Sequence, residues 1–586
     1  MSRVFLLFVL AIMVADAQGQ AMEELARRHA LIDSLSQIED HAGTIRAVER
    51  QRTGSVNTTW EDSLHLYIHK LGRAHWKLKN AEAGIAEAEG LYAWVIQRGA
   101  EPKERLEALS GLSWLYYELG YMKECLRVDS MALAIALDHP ELGPKELAHA
   151  YQNVGFDHAS MGHHQAAIRS YLQARSVYER SSDPSYLDLS ECYNGAGVSS
   201  WHLGRTRAAE GYYREALAKL ERSKDPDALL RKAGIVSNMG IMWQDAGDIP
   251  RSRANYQEGI RLSTEMIAQA TDPTTRASAI LSRSKGYVNL ATVYFSLGDN
   301  GRSQELLDLA YRDRASVLEP SDPRLIGIRE RMADIAIETR DLARAEVYIT
   351  QFMEASSTYF GEGNEGQLRA STKLAEVYAG AGRIDEAAAL FRRSIALQRD
   401  RQHTSTDPEF AVALRRRARF ALLHGSTDEA ITDLLEARTI MQRVHGEQHF
   451  KVAQYEVLLA EAAMAKADPT AALKWSSAAL DKLQDRVSTL KQTSVPVAFP
   501  QPHLLPDAIL WKVKAELALA ATGGTGGDPS ADIDLAIRSL DLDRIAIDDE
   551  GSQLGLVAAH KSLFDLAIDL AYVSSDQHRS VKDIDR

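Results

Sequence analysis

Small and apolar residues recur along this chain with a long, even period. Gly155, Gly197, Gly240, Ala291, Ala333, Ala375, Ala418 and Ala460 stand 42 or 43 residues apart, with one interval of 51. Their neighbours repeat at fixed offsets. An apolar residue precedes most of them (Val154, Met239, Leu290, Met332, Leu374, Leu459), and an aromatic often follows three later (Trp243, Tyr294, Tyr378). A glycine comes seven after, at Gly162, Gly204, Gly247, Gly298, Gly382 and Gly425. Five further on is a second small residue (Ala167, Ala209, Ser252, Ser303, Ala345, Ala387, Ala430, Ala472). Four beyond that is a bulky one (Tyr171, Tyr213, Tyr256, Leu307, Ile349, Phe391, Leu434). These spacings predict two amphipathic helices joined at a glycine, where a left-handed backbone needs no Cβ. The small positions let the helices approach closely, the bulky ones fill the gap to the next pair, and the period predicts an array.

The connections repeat as well. Asp183-Pro184, Asp225-Pro226, Asp272-Pro273, Asp322-Pro323 and Asp407-Pro408 fall shortly before a new pair. Asp accepts from the orphan amides of a helix start and Pro tolerates the first turn, so the dipeptide marks boundaries.

This pattern resembles the tetratricopeptide repeat, which places Leu-Gly, an aromatic, Ala and Phe at these spacings. Val154-Gly155 through Ala174 and Leu374-Ala375 through Phe391 match it most clearly. The longer period is similar to that of kinesin light chains, and His445-Gly446-Glu447-Gln448-His449 resembles their inter-repeat linker. The resemblance covers roughly residues 60 to 480. It implies an all-α, right-handed superhelical solenoid of antiparallel helix pairs. The expected organisation is a segment 1–17, an N-terminal helical cap 18–57, the array 58–485, a proline-rich break 486–506 and terminal helices 507–586.

Composition adds three constraints. The 586 residues carry a net charge of −13, which argues against a nucleic-acid footprint over the whole molecule. Arg3 precedes the apolar run Val4 to Ala15, and Ala15-Asp16-Ala17 supplies small residues for a signal peptidase. Residues 1–17 therefore read as a secretory signal cut after Ala17, too short for the roughly 20 residues of a membrane span, and the protein as exported to the periplasm or beyond. The two cysteines, Cys125 and Cys192, lie two repeats apart and read as buried small hydrophobes in place of a disulfide.

Motifs for chemistry are missing. The sequence holds no G-x-x-x-x-G-K, no H-E-x-x-H and no G-x-S-x-G. Gly523 to Gly527 lacks the lysine of a phosphate loop and reads as a connector. His163 and His164 read as turn residues beside Gly162, without companions for a metal. The expectation is a protein that is not an enzyme, with no cofactor and no metal.

One column of residues carries the functional reading. First helices of such repeats line the concave wall, and the residue two before each small position points toward it. That column is Asn153, Gly195, Asn238, Asn289, Arg331, Lys373 and Arg416, with Arg369, Arg415 and Arg419 on the same helices. Asparagine amides suit the backbone of an extended peptide, and the basic second half favours acidic side chains or a carboxylate terminus. Phe156, Trp201 and Phe295 would add apolar lining. Two bland explanations stand beside this. Arg331 with Asp334 and Lys373 with Glu376 form i,i+3 pairs on a solvated face, and kinesin-light-chain-type repeats carry asparagine as part of their fold.

Beyond residue 485 the pattern changes. Pro496, Pro500, Pro502 and Pro506 precede a helix expected over about Asp507 to Ala521, then another over Ile533 to Ile547. Asp549-Glu550-Gly551-Ser552-Gln553 and a helix to Tyr572 resemble the segment leading into the CHAT domain, a caspase-like peptidase module of bacterial tetratricopeptide proteins. Gln553 stands where that family has lysine, and Arg586 comes before any His and Cys dyad. The chain is thus expected to be a scaffold binding a peptide or protein segment, with a truncated or split CHAT regulatory arm as the alternative. The sensor half of a membrane histidine kinase would need an apolar span, which the sequence lacks.

Overall fold

A computed structural model describes residues 26–53, 61–181, 184–246, 248–320, 322–360, 363–400, 407–484, 487–488, 503–523, 529–545 and 550–571. The expected signal segment 1–17, Asp183, Gly247, the prolines at 496, 500 and 502, most of the glycine run after Gly523, Asp549 and Tyr572 lie outside the described residues. Among the described residues the chain is helical, without a strand. It divides into two compact units, 1–228 and 229–586.

Unit 1 opens with α1 (26–37) and α2 (His41–Thr53), then a short 3-10 turn Glu61–Tyr67. Four hairpins follow: α3 (Ile68–Leu78) with α4 (Ala81–Gln97), α5 (Pro102–Glu118) with α6 (Met122–Asp138), α7 (Pro144–Ser160) with α8 (His164–Glu179), and α9 (Tyr186–His202) with α10 (Thr206–Glu221). Unit 2 opens within the first turn of α11 (Ala228–Asp245), which pairs with α12 (Ile249–Gln269). Then come α13 (Pro273–Ser296) with α14 (Asn300–Ala315), α15 (Pro323–Glu338) with α16 (Leu342–Phe360), and α17 (Glu365–Gly380) with α18 (Ile384–Arg399). The series continues with α19 (Pro408–Leu423) and α20 (Thr427–His445), then α21 (Phe450–Ala465) and α22 (Pro469–Lys482). Four terminal helices follow, α23 (Leu504–Ala521), α24 (Pro529–Ile545), α25 (Glu550–Ala559) and α26 (561–571). The array is an all-α repeat solenoid.

The expected local signals are in place. Gly162, Gly204, Gly298, Gly382 and Gly425 take φ of 78°, 72°, 79°, 79° and 81° between the helices of their hairpins. Two hairpins lack the glycine yet keep the turn, with Arg340 at φ 60° and Ala467 at φ 58°. Asp272, Asp322 and Asp407 cap α13, α15 and α19, accepting from Thr275, Arg324 and Glu409 amides at 2.8–2.9 Å, each with Pro in the first turn. At the first such dipeptide the cap is Ser185, whose hydroxyl accepts from the Asp188 amide. Helix α23 starts three residues before Asp507, so Pro506 lies within its first turn, not ahead of it.

Each hairpin closes through a pair sixteen residues apart. Gly155, Gly197 and Gly240 lie against the rings of Tyr171, Tyr213 and Tyr256, where an added Cβ would come within 3.1, 2.8 and 2.6 Å. From Ala291 to Ala418, where the small residue is alanine, its partner is Leu307, Ile349, Phe391 or Leu434, all buried. The buried rows merge into extended cores: Leu64, Leu71, Leu91, Leu109 and Leu112 in unit 1, and Leu414, Leu434 and Leu459 in the middle of unit 2. Cys125 and Cys192 are free thiols at 0% and 1% exposure. Burial pushes both up to about 12, so they behave as small hydrophobes.

Contacts run between successive first helices, α3 to α5, α7 to α9, α15 to α17, α17 to α19 and α19 to α21. First helices that touch while their partners fan outward form the inner wall of each unit. Unit 2 also meets itself at long range: the Asn300 amide at the start of α14 donates to Ser552 Oγ on α25 at 2.9 Å. The Glu550 to Gln553 segment is therefore the first turn of a helix and not a loop.

Candidate functional site

The column lies where the repeat puts it, on α7, α9, α11, α13, α15, α17 and α19, but its members differ in surroundings. Asn153 is exposed. Gly195 is backed by Tyr171, whose Cζ would be 2.5 Å from an added Cβ. Asn238 and Asn289 are half-buried, and the Asn289 Nδ2 is buried without a hydrogen-bond partner among the described residues.

Three of the cations, Arg369, Lys373 and Arg416, are neutralised from within. Exposed Arg331 donates from Nη1 to Thr292 Oγ1 at 2.9 Å. Arg369 makes a two-pronged contact to Glu330, 3.2 Å on each oxygen. Lys373 sits between Asp334 and Glu330, with Nζ at 2.8 and 3.1 Å. Arg416 bonds Glu376 and lies 3.5 Å from Asp334. Burial pushes Glu330 up, but Lys373 and Arg369 more than offset it and hold its carboxyl below the usual range. Glu376 is likewise pushed up by burial and pulled below its usual range by Arg416, Arg419 and Arg415.

This corrects two expectations. The pairs are not i,i+3: Lys373 reaches back 39 residues to Asp334, and Glu376 is taken by Arg416 from 40 residues on. Successive first helices lie side by side, so positions about one repeat apart become neighbours and each cation meets a carboxylate of the preceding first helix. Nor do Lys373 and Arg416 face open solvent. Lys373 is 8% exposed and the Arg416 side chain 15%. The two other arginines of α19 are less well partnered. The Arg415 Nε is buried without a hydrogen-bond partner, and burial, aided by Arg416 and Arg419, pushes its pKa down. Arg419 is exposed and has no carboxylate within ion-pair distance among the described residues, although Glu338, Glu376, Glu461 and Asp507 all feel its charge. Burial pushes Glu338, Glu461 and Asp507 above their usual range, and His560 lies 3.6 Å from Asp507. The inner wall of unit 2 is thus a balanced charge lattice with Arg419 open at its centre.

Two features escaped the sequence reading. On α5 and α7, Trp114, Tyr117 and Phe156 form a row of rings, of which only Phe156 was singled out. Centroids are 5.9 Å apart for Trp114 and Tyr117 and 5.4 Å for Tyr117 and Phe156. Behind them Asp129 and Asp157 are buried at 3% and 2% exposure. Ser113 Oγ donates to Asp129 Oδ2 at 2.7 Å. Burial and the Asp129 charge push Asp157 up to about 8. Asp129 occupies the bulky slot of its hairpin, sixteen after Ser113, and a carboxylate in that slot was the available signal.

Of the other readings, His163 is exposed, whereas His164 stacks on His202 at 4.7 Å. His449 caps α21 through Nδ1, so the linker-like stretch does connect two hairpins. No group of three His, Cys, Asp or Glu poised for a metal, and no helix long and apolar enough to cross a membrane, occurs among the described residues.

Residues 146–222 match the family described as tetratricopeptide repeat. No curated protein sequence matches the chain. Among solved structures, BtubC from P. vanneervenii is similar at 20% identity and TM-score 0.32, over 42% of this chain and 91% of that one. The apo form of RapI is similar at 10% identity and TM-score 0.46, over 65% and 98%. The putative kinesin light chain of Podosopora anserina is similar at 18% identity and TM-score 0.29, over 38% and 98%. The family match spans α7 to α10, and helix hairpins of the same build recur along unit 2.

Proposed function

We propose that the chain is a non-catalytic, exported scaffold that binds a peptide or protein segment along the inner wall of its repeats. The observation that carries this reading is the mixture on the wall of unit 2: exposed Arg331 and Arg419 beside a locked charge lattice, which leaves discrete polar contacts for a ligand. The lattice narrows the expected acidic ligand to one that meets Arg419, since Arg369, Lys373 and Arg416 are already engaged. Export rests on the apolar run behind Arg3, and amino-terminal sequencing of the cell-envelope protein tests it. For binding, a photo-crosslinking residue is placed at Asn153 or Arg331 on first helices, and at Arg214 or Arg261 on second helices. Ligand capture at the first two supports the reading; capture only at the others overturns it.

A second reading is a regulatory arm of a CHAT-type peptidase. It rests on the resemblance of Glu550-Gly551-Ser552-Gln553 and its helix to the segment before that module. A continuation with a His and Cys pair in the DNA after codon 586 would favour it.

A further inference from the structure

The rings of Trp114, Tyr117 and Phe156 are the feature of unit 1 that its own packing does not explain. They are 59%, 42% and 45% exposed, on neighbouring first helices. Trp114 falls one residue after Ser113 and Phe156 one after Gly155, the same register position in successive hairpins. Both therefore face the inner wall, and Asn153 lies one turn from Phe156.

Their geometry is not that of a flat apolar patch. Trp114 and Tyr117 stand at 89° to each other, and Tyr117 and Phe156 at 59°. Inclined rings form a corner, and the exposed face of an aromatic ring, where its quadrupole is negative, suits a cation. Elsewhere the protein covers its part-exposed rings with its own cations. Lys77 lies over Trp76 at 4.4 Å, Arg98 over Trp94 at 4.5 Å and Arg383 over Tyr378 at 3.7 Å. No lysine or arginine lies over Trp114, Tyr117 or Phe156 among the described residues. Charge agrees in sign: the chain is acidic at −13. One turn along α5, Glu118 is held ionised by hydrogen bonding to His69 and by the nearby Arg73.

We infer that this corner on α5 and α7 binds a cationic side chain, arginine or lysine, of an extended peptide whose backbone runs past Asn153. The inference rests on the proposed inner-wall binding but concerns a separate place and the opposite ligand charge from Arg419. A guanidinium seated against two or three ring faces distinguishes itself from a neutral isostere by about fivefold in affinity.

The test uses the full chain and three dye-labelled peptides of equal length, identical except that two positions are arginine, citrulline or glutamate. Fluorescence anisotropy should show the arginine peptide binding about fivefold more tightly than its citrulline twin. Trp114→Leu and Phe156→Leu should abolish that preference, whereas Trp114→Phe keeps it; circular dichroism confirms that each variant is folded. Equal affinity for arginine and citrulline, or an unchanged preference in the leucine variants, overturns the inference. If only the glutamate peptide binds, the corner fails and inner-wall binding survives; if none binds, both fail.

Discussion

The ring of Tyr256 lies against the backbone of Gly240, so closely that a methyl on Gly240 would sit 2.6 Å from Cε1. Sixteen residues separate the pair, and every hairpin from α7 to α20 fills the same two slots. Tyrosine faces glycine three times, whereas Leu307, Ile349, Phe391 and Leu434 face alanine. Large and small are chosen jointly to hold the interhelical distance. Gly240→Ala should therefore cost about 1–3 kcal/mol through overpacking. Adding Tyr256→Leu should recover most of it, since that reproduces the Ala291 and Leu307 pair. A double-mutant cycle by urea denaturation reads the coupling, and additive losses would show that the two side chains do not compete for space.

The turns at Arg340 and Ala467 hold a left-handed backbone without glycine. A left-handed residue with a Cβ costs roughly 1–2 kcal/mol, partly offset by the lower freedom of a non-glycine unfolded chain. Ala467→Gly is expected to raise stability by about 1 kcal/mol, and Gly425→Ala to lower it by a similar amount. Thermal melts of the two variants measure this directly. A loss of stability in Ala467→Gly would mean that its turn is shaped by something other than φ.

The repeat was legible because it rests on local rules, namely apolar period, a left-handed turn and an aspartate cap, which leave their mark at fixed spacing. Even Arg340 and Ala467 fall where that spacing puts a glycine. The chemistry of the wall was only partly legible. Arg331, Lys373 and Arg416 lie on first helices as the spacing predicts, but their partners are 39 or 40 residues away, and spacing within one helix pointed Lys373 at Glu376 in place of Asp334. Which cation stays open depends on helix packing that one-dimensional pattern does not encode. The aromatic corner was missed for a related reason: Trp114 and Phe156 meet through Tyr117, which has no repeat signature.

The buried carboxyls of Asp129 and Asp157 make unit 1 sensitive to pH. Asp157 is raised to about 8 in the folded chain by burial and by the Asp129 charge. A carboxyl whose folded pKa exceeds its unfolded value contributes fully below the unfolded value near 3.8, and that contribution is lost as pH rises toward 8. Stability of unit 1 should thus decline across that window, by at most about 1.4 kcal/mol per pH unit for one proton. Asp157→Asn keeps the shape and removes the ionisation, so it should flatten the decline and stabilise the protein at pH above neutrality. Urea midpoints at acidic and mildly alkaline pH compare the two; parallel profiles for parent and variant would rule the pair out as the source.

Lys373 holds the charge lattice of unit 2 together, because its ammonium is the common partner of Glu330 and Asp334 in a nearly closed setting. Lys373→Glu would place three carboxylates around one point and is expected to cost about 3–5 kcal/mol, the range for breaking a buried ion pair. Lys373→Met leaves two carboxylates, with Arg369 and Arg416 still beside them, and should cost less. Arg331→Glu, at an exposed position with only a hydroxyl partner, should stay within about 0.5 kcal/mol of the parent. Comparing the three by denaturation separates lattice from surface. If Lys373→Glu were as benign as Arg331→Glu, the ion pairs seen between α15 and α17 would contribute nothing to the stacking of those repeats.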